Sequence, residues 1–223
     1  MLALGAVFNS SPSLARIAPF LVFLGLTVLQ GQVGEVGQFW IYLLKCLVGI
    51  WMLWMTWRIV PEMRWEWTPR ALAIGVLVCA IWVFLDPYYP KLGGVAGTTW
   101  NPFVTFAETA PLAWFFFGVR LLGSSLIVPP LEEAFYRSFL YRTLVKKDFL
   151  NVPLIGINWV PFLVTACVFG LAHTQWFAGI LCGILFQSLV CRSGRLGEAM
   201  AAHAVTNCLL AIWIVAKGAW QFW

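Results

Sequence analysis

Seven long apolar runs, separated by short polar breakers, limit what this chain can fold into. They cover roughly 17–34, 39–57, 71–86, 113–146, 157–173, 176–191 and 197–216. A helix needs about 20 apolar residues to cross the bilayer core. The breakers "GQVGEVG", "PEMRWEWTPR", "DPYYPKLGG" and "RSGRLGE" carry the glycines and prolines that end helices. The chain is 61% hydrophobic and only 10% charged, against about 25% charged for a soluble domain. The expected fold class is all-α: a polytopic membrane helical bundle of about seven transmembrane helices, with eight as the alternative. One integral membrane domain, 1–223, accounts for the length. Within it, 1–111 supplies N-terminal helices and a long loop, and 112–216 supplies the helices that carry polar motifs.

The net charge of +5 does not indicate nucleic acid, because the basic residues sit in the gaps between apolar runs. With the N-terminus in the cytoplasm, nine of the fourteen fall on the inner side, from Arg16 through Arg58, Arg64 and Arg70 to Arg195. Only Lys91 and Lys217 fall outside. That is a positive-inside bias, and it supports an odd number of crossings. Arg120 reads as an interface marker. Tryptophans at the inner end of the second crossing form an aromatic belt. The first crossing has no small-residue cleavage site and reads as a weak signal-anchor. The gap from Pro87 to Pro111 is long enough for a lid or a plain loop. The six cysteines contain no C-x-x-C pair and read as small buried hydrophobes. Gly179 and Gly183, four apart, read as a close helix-packing face.

Against this background "LEEAFYR" stands out. By helical rise, Glu132 lies roughly 18 Å from Arg120 and 21 Å from Lys146, near mid-membrane. A charge there costs at least about 2.5–3.5 kcal/mol. Glu133 and Arg137, at i and i+4, share a face and can pair. Glu132 then has no partner in its own segment. Pro129 and Pro130 precede it and are expected to kink the helix and free carbonyls, which only a protein-lined or wet cavity tolerates.

The only two histidines, His173 and His203, lie in the last three runs. His203 and Asn207 share a helix face. Glutamate can act as a general base on water. A neighbouring histidine can share that water, and a second histidine with an amide can donate to a developing oxyanion. This is the inventory for hydrolysis without a covalent intermediate. Ser124, Ser125 and Ser138 lack a histidine at fixed spacing. Two other readings fit the inventory. Glu132, His173 and His203 are suitable zinc ligands, although no H-E-x-x-H is present. Buried acids and histidines also build proton- or ion-coupled carriers or scaffolds, although no internal repeat supports one.

"EEAFYR", "FGLAH" and "HAVTN" resemble, in order, the three motifs of the CAAX-processing and bacteriocin-processing family of glutamic-type intramembrane proteases. The family patterns are E-E-x-x-x-R, F-x-x-x-H and H-x-x-x-N or D. The likeness spans Arg120 to Ala216. It implies that Glu132 activates the water with His173, that His203 and Asn207 form the oxyanion site, and that Glu133 and Arg137 support the first motif. The usual glycine after the motif arginine is Ser138 here. The implied activity is endopeptidase cleavage of a membrane-associated protein or peptide, with no cofactor. The chain is similar to compact bacterial members of the inner membrane, some tied to export and surface-sorting systems.

Depth adds a constraint. A fifth crossing begun at Asn151 would carry His173 about 33 Å, past Glu132. A start at Asn158, with Pro161 early in the helix, carries it about 20 Å. The expectation is a short or tilted helix, an "HTQ" turn inside a cavity, and convergence of Glu132, His173 and His203 within about 8 Å.

Overall fold

The computed structural model describes residues 2–92, 100–107 and 109–223. Among them there are helices and no strands. In chain order they are α1 (Leu2–Ser10), α2 (Pro12–Gln30), α3 (Gly37–Thr56), α4 (Pro69–Leu85), the single turn α5 (Pro102–Thr105), a long helix α6 (Ala110–Val145), α7 (Trp159–Leu171), α8 (Trp176–Ser193) and α9 (Gly197–Lys217). Six are long and apolar enough to cross a membrane, and α7 is the shorter apolar helix among them.

Local sequence sets the ends. Ser11 and Thr68 cap α2 and α4 by accepting from the backbone N–H of Leu14 and Ala71, and each is followed by a proline in the first turn. Gly194 and Gly218 end α8 and α9 at positive φ, 73° and 65°, where a side chain would be strained. The second helix begins at Pro12, earlier than its apolar run, so Arg16 lies inside it. The lid reading of the 87–111 gap rests largely on 93–99 and 108, outside the described residues.

The outside of the bundle is apolar: Trp54, Phe84 and Val160 are 68%, 69% and 73% exposed. In water that surface would be a liability, but in lipid it is the expected solvent-facing face. Inside, α8 and α7 pack closely. A Cβ on Gly179 would meet the Gly170 backbone at 2.9 Å, and one on Gly183 the Ala166 backbone at 2.9 Å. The packing reading of these glycines holds. All six cysteines are free. Cys46, Cys182 and Cys191 are buried as expected, but Cys167 is exposed on the outer face of α7.

Ion pairs gather at one end of the bundle. Arg16 and Arg142 meet Glu62, Arg70 meets Glu198, and Arg195 meets Glu66. The start of α2, the α3–α4 connection, the end of α6 and the α8–α9 connection therefore share a side, as the distribution of basic residues requires. Arg120 corrects that reading in one place. It marks no interface. It faces an internal cavity, with its guanidinium over the rings of Tyr42, Trp100 and Trp223.

Candidate active site

The long helix α6 is not a uniform α-helix. Two π-helical segments, Gly123–Ile127 and Ala134–Leu140, flank the α-helical Val128–Glu133. The expected proline kink is thus a change of helical pitch. In the first π segment the Val128 N–H donates to the Gly123 carbonyl, five residues back. Pro129 is next in that register and has no N–H to give to Ser124. The freed Ser124 carbonyl accepts instead from Asn207 Nδ2 on α9, at 2.7 Å. A backbone defect in one motif helix is closed by the amide of another motif. π segments of this kind recur at functional sites.

Along α6, Arg120, Ser124, Val128, Glu132 and Tyr136 fall four apart and all line one cavity of about 400 Å³. His173, His203 and Asn207 line the same cavity from α9 and from the turn after α7. The four residues expected to carry the chemistry therefore face one space. Glu132 is half-buried, and its Oε2 finds no hydrogen-bond partner among the described residues.

The short α7 explains how His173 gets there. It begins at Trp159 and runs 13 residues, about 20 Å, so it stops inside the membrane depth and "AHTQ" turns beside the cavity. Asn158 stands at the N-cap position as expected, but its side chain makes no cap bond. Its backbone N–H donates instead to the Tyr141 hydroxyl. His173 Nδ1 donates to the Phe169 carbonyl at 2.8 Å, which leaves Nε2 as the other ring nitrogen. The "F-x-x-x-H" spacing thus has a physical basis: four residues on, the ring folds back onto the carbonyl of the phenylalanine. Trp82 holds the ring edge-on at 5.5 Å.

The second glutamate is bound differently from the expectation. Glu133 is fully buried. Its Oε2 lies 3.2 Å from Arg137 Nε, so the i, i+4 pair forms, and its Oε1 accepts from His203 Nδ1 at 3.1 Å. Sequence spacing showed the first contact but not the second, which crosses between helices. The Arg137 contact is an ion pair without hydrogen-bond geometry: all three guanidinium nitrogens lack a hydrogen-bond partner among the described residues. The guanidinium lies instead over Phe169, 4.3 Å from the ring centre.

Ser138, where the motif usually has glycine, has a specific partner. Its hydroxyl donates to Glu62 and accepts from Arg16 Nε at 2.8 Å. For zinc, among the described residues no three His, Cys, Asp or Glu side chains are grouped to hold one ion.

Taken together, α2–α4 and α6–α9 form a polytopic helical membrane protein whose central cavity is lined by an acid, two imidazoles and an amide. Residues 113–209 match the family model described as type II CAAX prenyl endopeptidase Rce1-like. That segment, under half of the chain, is similar to these membrane endopeptidases, and it contains all six motif residues. No curated protein and no solved structure matches the chain.

Proposed function

We propose that the protein is a glutamic-type intramembrane endopeptidase in which Glu132 activates the hydrolytic water. The observation that carries this reading is the cavity in which Glu132 carries a buried, unpartnered oxygen beside His173, His203 and Asn207. Protease activity itself rests on the family match.

The hydrogen bonds assign proton positions. A backbone carbonyl can only accept, so His173 carries its proton on Nδ1 when neutral, and Nε2 offers a lone pair. It can take a share of the water proton that Glu132 abstracts. A carboxylate likewise fixes the proton of His203 on Nδ1. For His203 to donate to an oxyanion through Nε2, the ring must hold both protons. Glu133 then balances that charge, so its role extends beyond pairing with Arg137. Asn207 uses one amide hydrogen on Ser124 and keeps the second for the substrate oxygen. As the tetrahedral intermediate collapses, the proton held by Glu132 passes to the leaving amine.

The substrate in this reading is a membrane-associated protein or peptide. The proposed setting is a bacterial inner membrane with the N-terminus in the cytoplasm, a reading supported by the distribution of basic residues and by the likeness to compact bacterial members. No cofactor takes part, and an unchanged rate after chelation is expected.

The test compares membrane fractions from cells producing the wild type and Glu132→Gln. New peptide termini are counted by mass spectrometry. Glutamine keeps the shape and removes the base, so product should fall about 10²–10⁴-fold, while expression is retained. Equal product from the two chains sinks the mechanism.

A further inference from the structure

The end of the cavity away from the Arg16–Glu62 cluster holds two cations that the hydrolysis does not use. Lys45 on α3 and Arg120 on α6 both line it. Each lies over the Tyr42 ring, 4.6 Å and 5.0 Å from its centre, so the two are within about 10 Å of each other. Lys45 is only 4% exposed. Its Nζ donates to Thr27 Oγ1 and Gln30 Oε1, both at 3.0 Å, and an ammonium has a third hydrogen to give. Among the described residues no carboxylate lies within ion-pair distance of either cation. By contrast, the described ion pairs engage Arg16, Arg70, Lys91, Arg137, Arg142 and Arg195.

Two neighbouring cations repel, and deep in a membrane protein each is costly. Tyr42, Phe23, Trp100 and Trp223 offset part of that cost through their ring faces. Ring faces do not supply a counter-charge. An anion entering the cavity would.

We propose that Lys45 and Arg120 form an anion subsite of the catalytic cavity, which takes a carboxylate of the peptide substrate from a free chain end or an acidic side chain. The inference rests on the hydrolase reading of the same cavity. Spacing adds to it. Arg120 and Glu132 stand on one face of α6, twelve residues and roughly 18 Å apart along the axis. Extended peptide advances about 3.3 Å per residue. The anion would therefore sit on the order of four to six residues from the bond that Glu132 attacks. Guanidinium and ammonium together favour a carboxylate by charge-assisted hydrogen bonds.

The test uses full-length Glu132→Gln in nanodiscs of zwitterionic lipid. The probes are N-acylated apolar peptides in three forms: C-terminal acid, C-terminal amide, and amide with one aspartate four to six residues from the central bond. Dissociation constants are measured for each, and the same peptides are offered to the wild type for cleavage. At least one carboxylate form should bind about tenfold or more tightly than the neutral amide. Which form does so identifies the source of the carboxylate. The double substitution Lys45→Met with Arg120→Met should erase the preference, and Lys45→Arg with Arg120→Lys should retain it. Cleavage without any acid preference in the intact chain overturns the subsite and leaves the hydrolase standing. Binding of none of the peptides, with no cleavage, counts against both. A preference that survives the double Met substitution assigns the anion elsewhere and also overturns it. So does a subsite blocked only by anionic lipid, which would make the ligand a headgroup.

Discussion

Two buried ionic clusters sit on the same long helix, one turn apart, and they are built on opposite principles. At the end of α6, Arg16, Glu62, Ser138 and Arg142 saturate one another. Every guanidinium nitrogen of Arg16 and Arg142 has an acceptor, including the carbonyls of Pro12, Leu150 and Val152. In the middle of α6, Glu133 and Arg137 touch at ion-pair distance, but all three Arg137 nitrogens and Glu133 Oε2 lack hydrogen-bond partners among the described residues. Glu132 beside them leaves Oε2 unpartnered. Burial of polar groups is costly unless they are satisfied. A saturated cluster needs no further explanation than holding four chain segments together. An unsaturated one persists where unpartnered atoms serve chemistry, and here its Glu132 lines the cavity with the two histidines, while Glu133 reaches that cavity only through its bond to His203.

Arg137→Ala probes that difference with the largest expected effect on stability. Glu133 would keep its bond to His203 but lose its cation in a site with no exposure. The expected cost is about 3–5 kcal/mol, read as a lower melting temperature in detergent. The charge-exchanged pair Glu133→Arg with Arg137→Glu should recover part of it. An unchanged melting temperature would show that the mid-helix pair contributes nothing, and the contrast would fail.

A weaker and pH-dependent effect is expected from Glu62, which lies outside the spans. Burial alone would raise its pKa. The Arg16 guanidinium, with the hydrogen bonds from Ser138 and Arg16, outweighs burial and holds the carboxyl below its ordinary 4.5. A carboxylate depressed in the folded state contributes stability that is complete above the unfolded pKa. That contribution is lost as pH falls through the lower folded value. Melting temperature should therefore decline below about pH 4.5 in the wild type, and Glu62→Gln should flatten the Glu62 part of that decline at a lower starting stability. Identical acid limbs for the two proteins would remove Glu62 from the saturated cluster.

Much of this arrangement is legible in the sequence because polar residues are so costly in an apolar chain. Glu132, Glu133, Arg137, His173, His203 and Asn207 are conspicuous for that reason, and their spacing shows which share a helix face. The seven apolar helices follow from the runs and their breakers, and the short α7 follows from the depth that His173 must reach. Spacing within a helix says nothing of contacts across helices, so the Glu133–His203 bond was not legible. The π segments were not legible either, because a double proline allows several repairs and only the Asn207 amide selects this one. Arg120 was misplaced because depth along a helix was read without its facing. Its four-residue stripe with Ser124, Val128, Glu132 and Tyr136 was the available signal. Glu62 and Ser138 carried none, since a loop glutamate and a serine look ordinary until Arg16 and Arg142 meet them.

The smallest effect is expected where redundancy is greatest. Ser138→Ala removes a hydroxyl that donates to Glu62 and accepts from Arg16 Nε and Arg142 Nη1. Each of those groups keeps another partner. Arg16 Nε still donates to Glu62 Oε1 at 3.0 Å, and Arg142 Nη1 still reaches the same oxygen at 3.3 Å. Glu62 keeps both cations. No buried donor or acceptor is orphaned, and alanine suits a helix at least as well as serine. The cost should therefore be that of one net hydrogen bond, about 1 kcal/mol, with hydrolysis unchanged because Ser138 does not line the cavity. Thermal melts and peptide cleavage on the same preparation check both halves. A loss of stability as large as that of Arg137→Ala would mean that saturation at the end of α6 gives no redundancy. A loss of cleavage with stability intact would show that the end cluster reaches the catalytic cavity through the π segment between them.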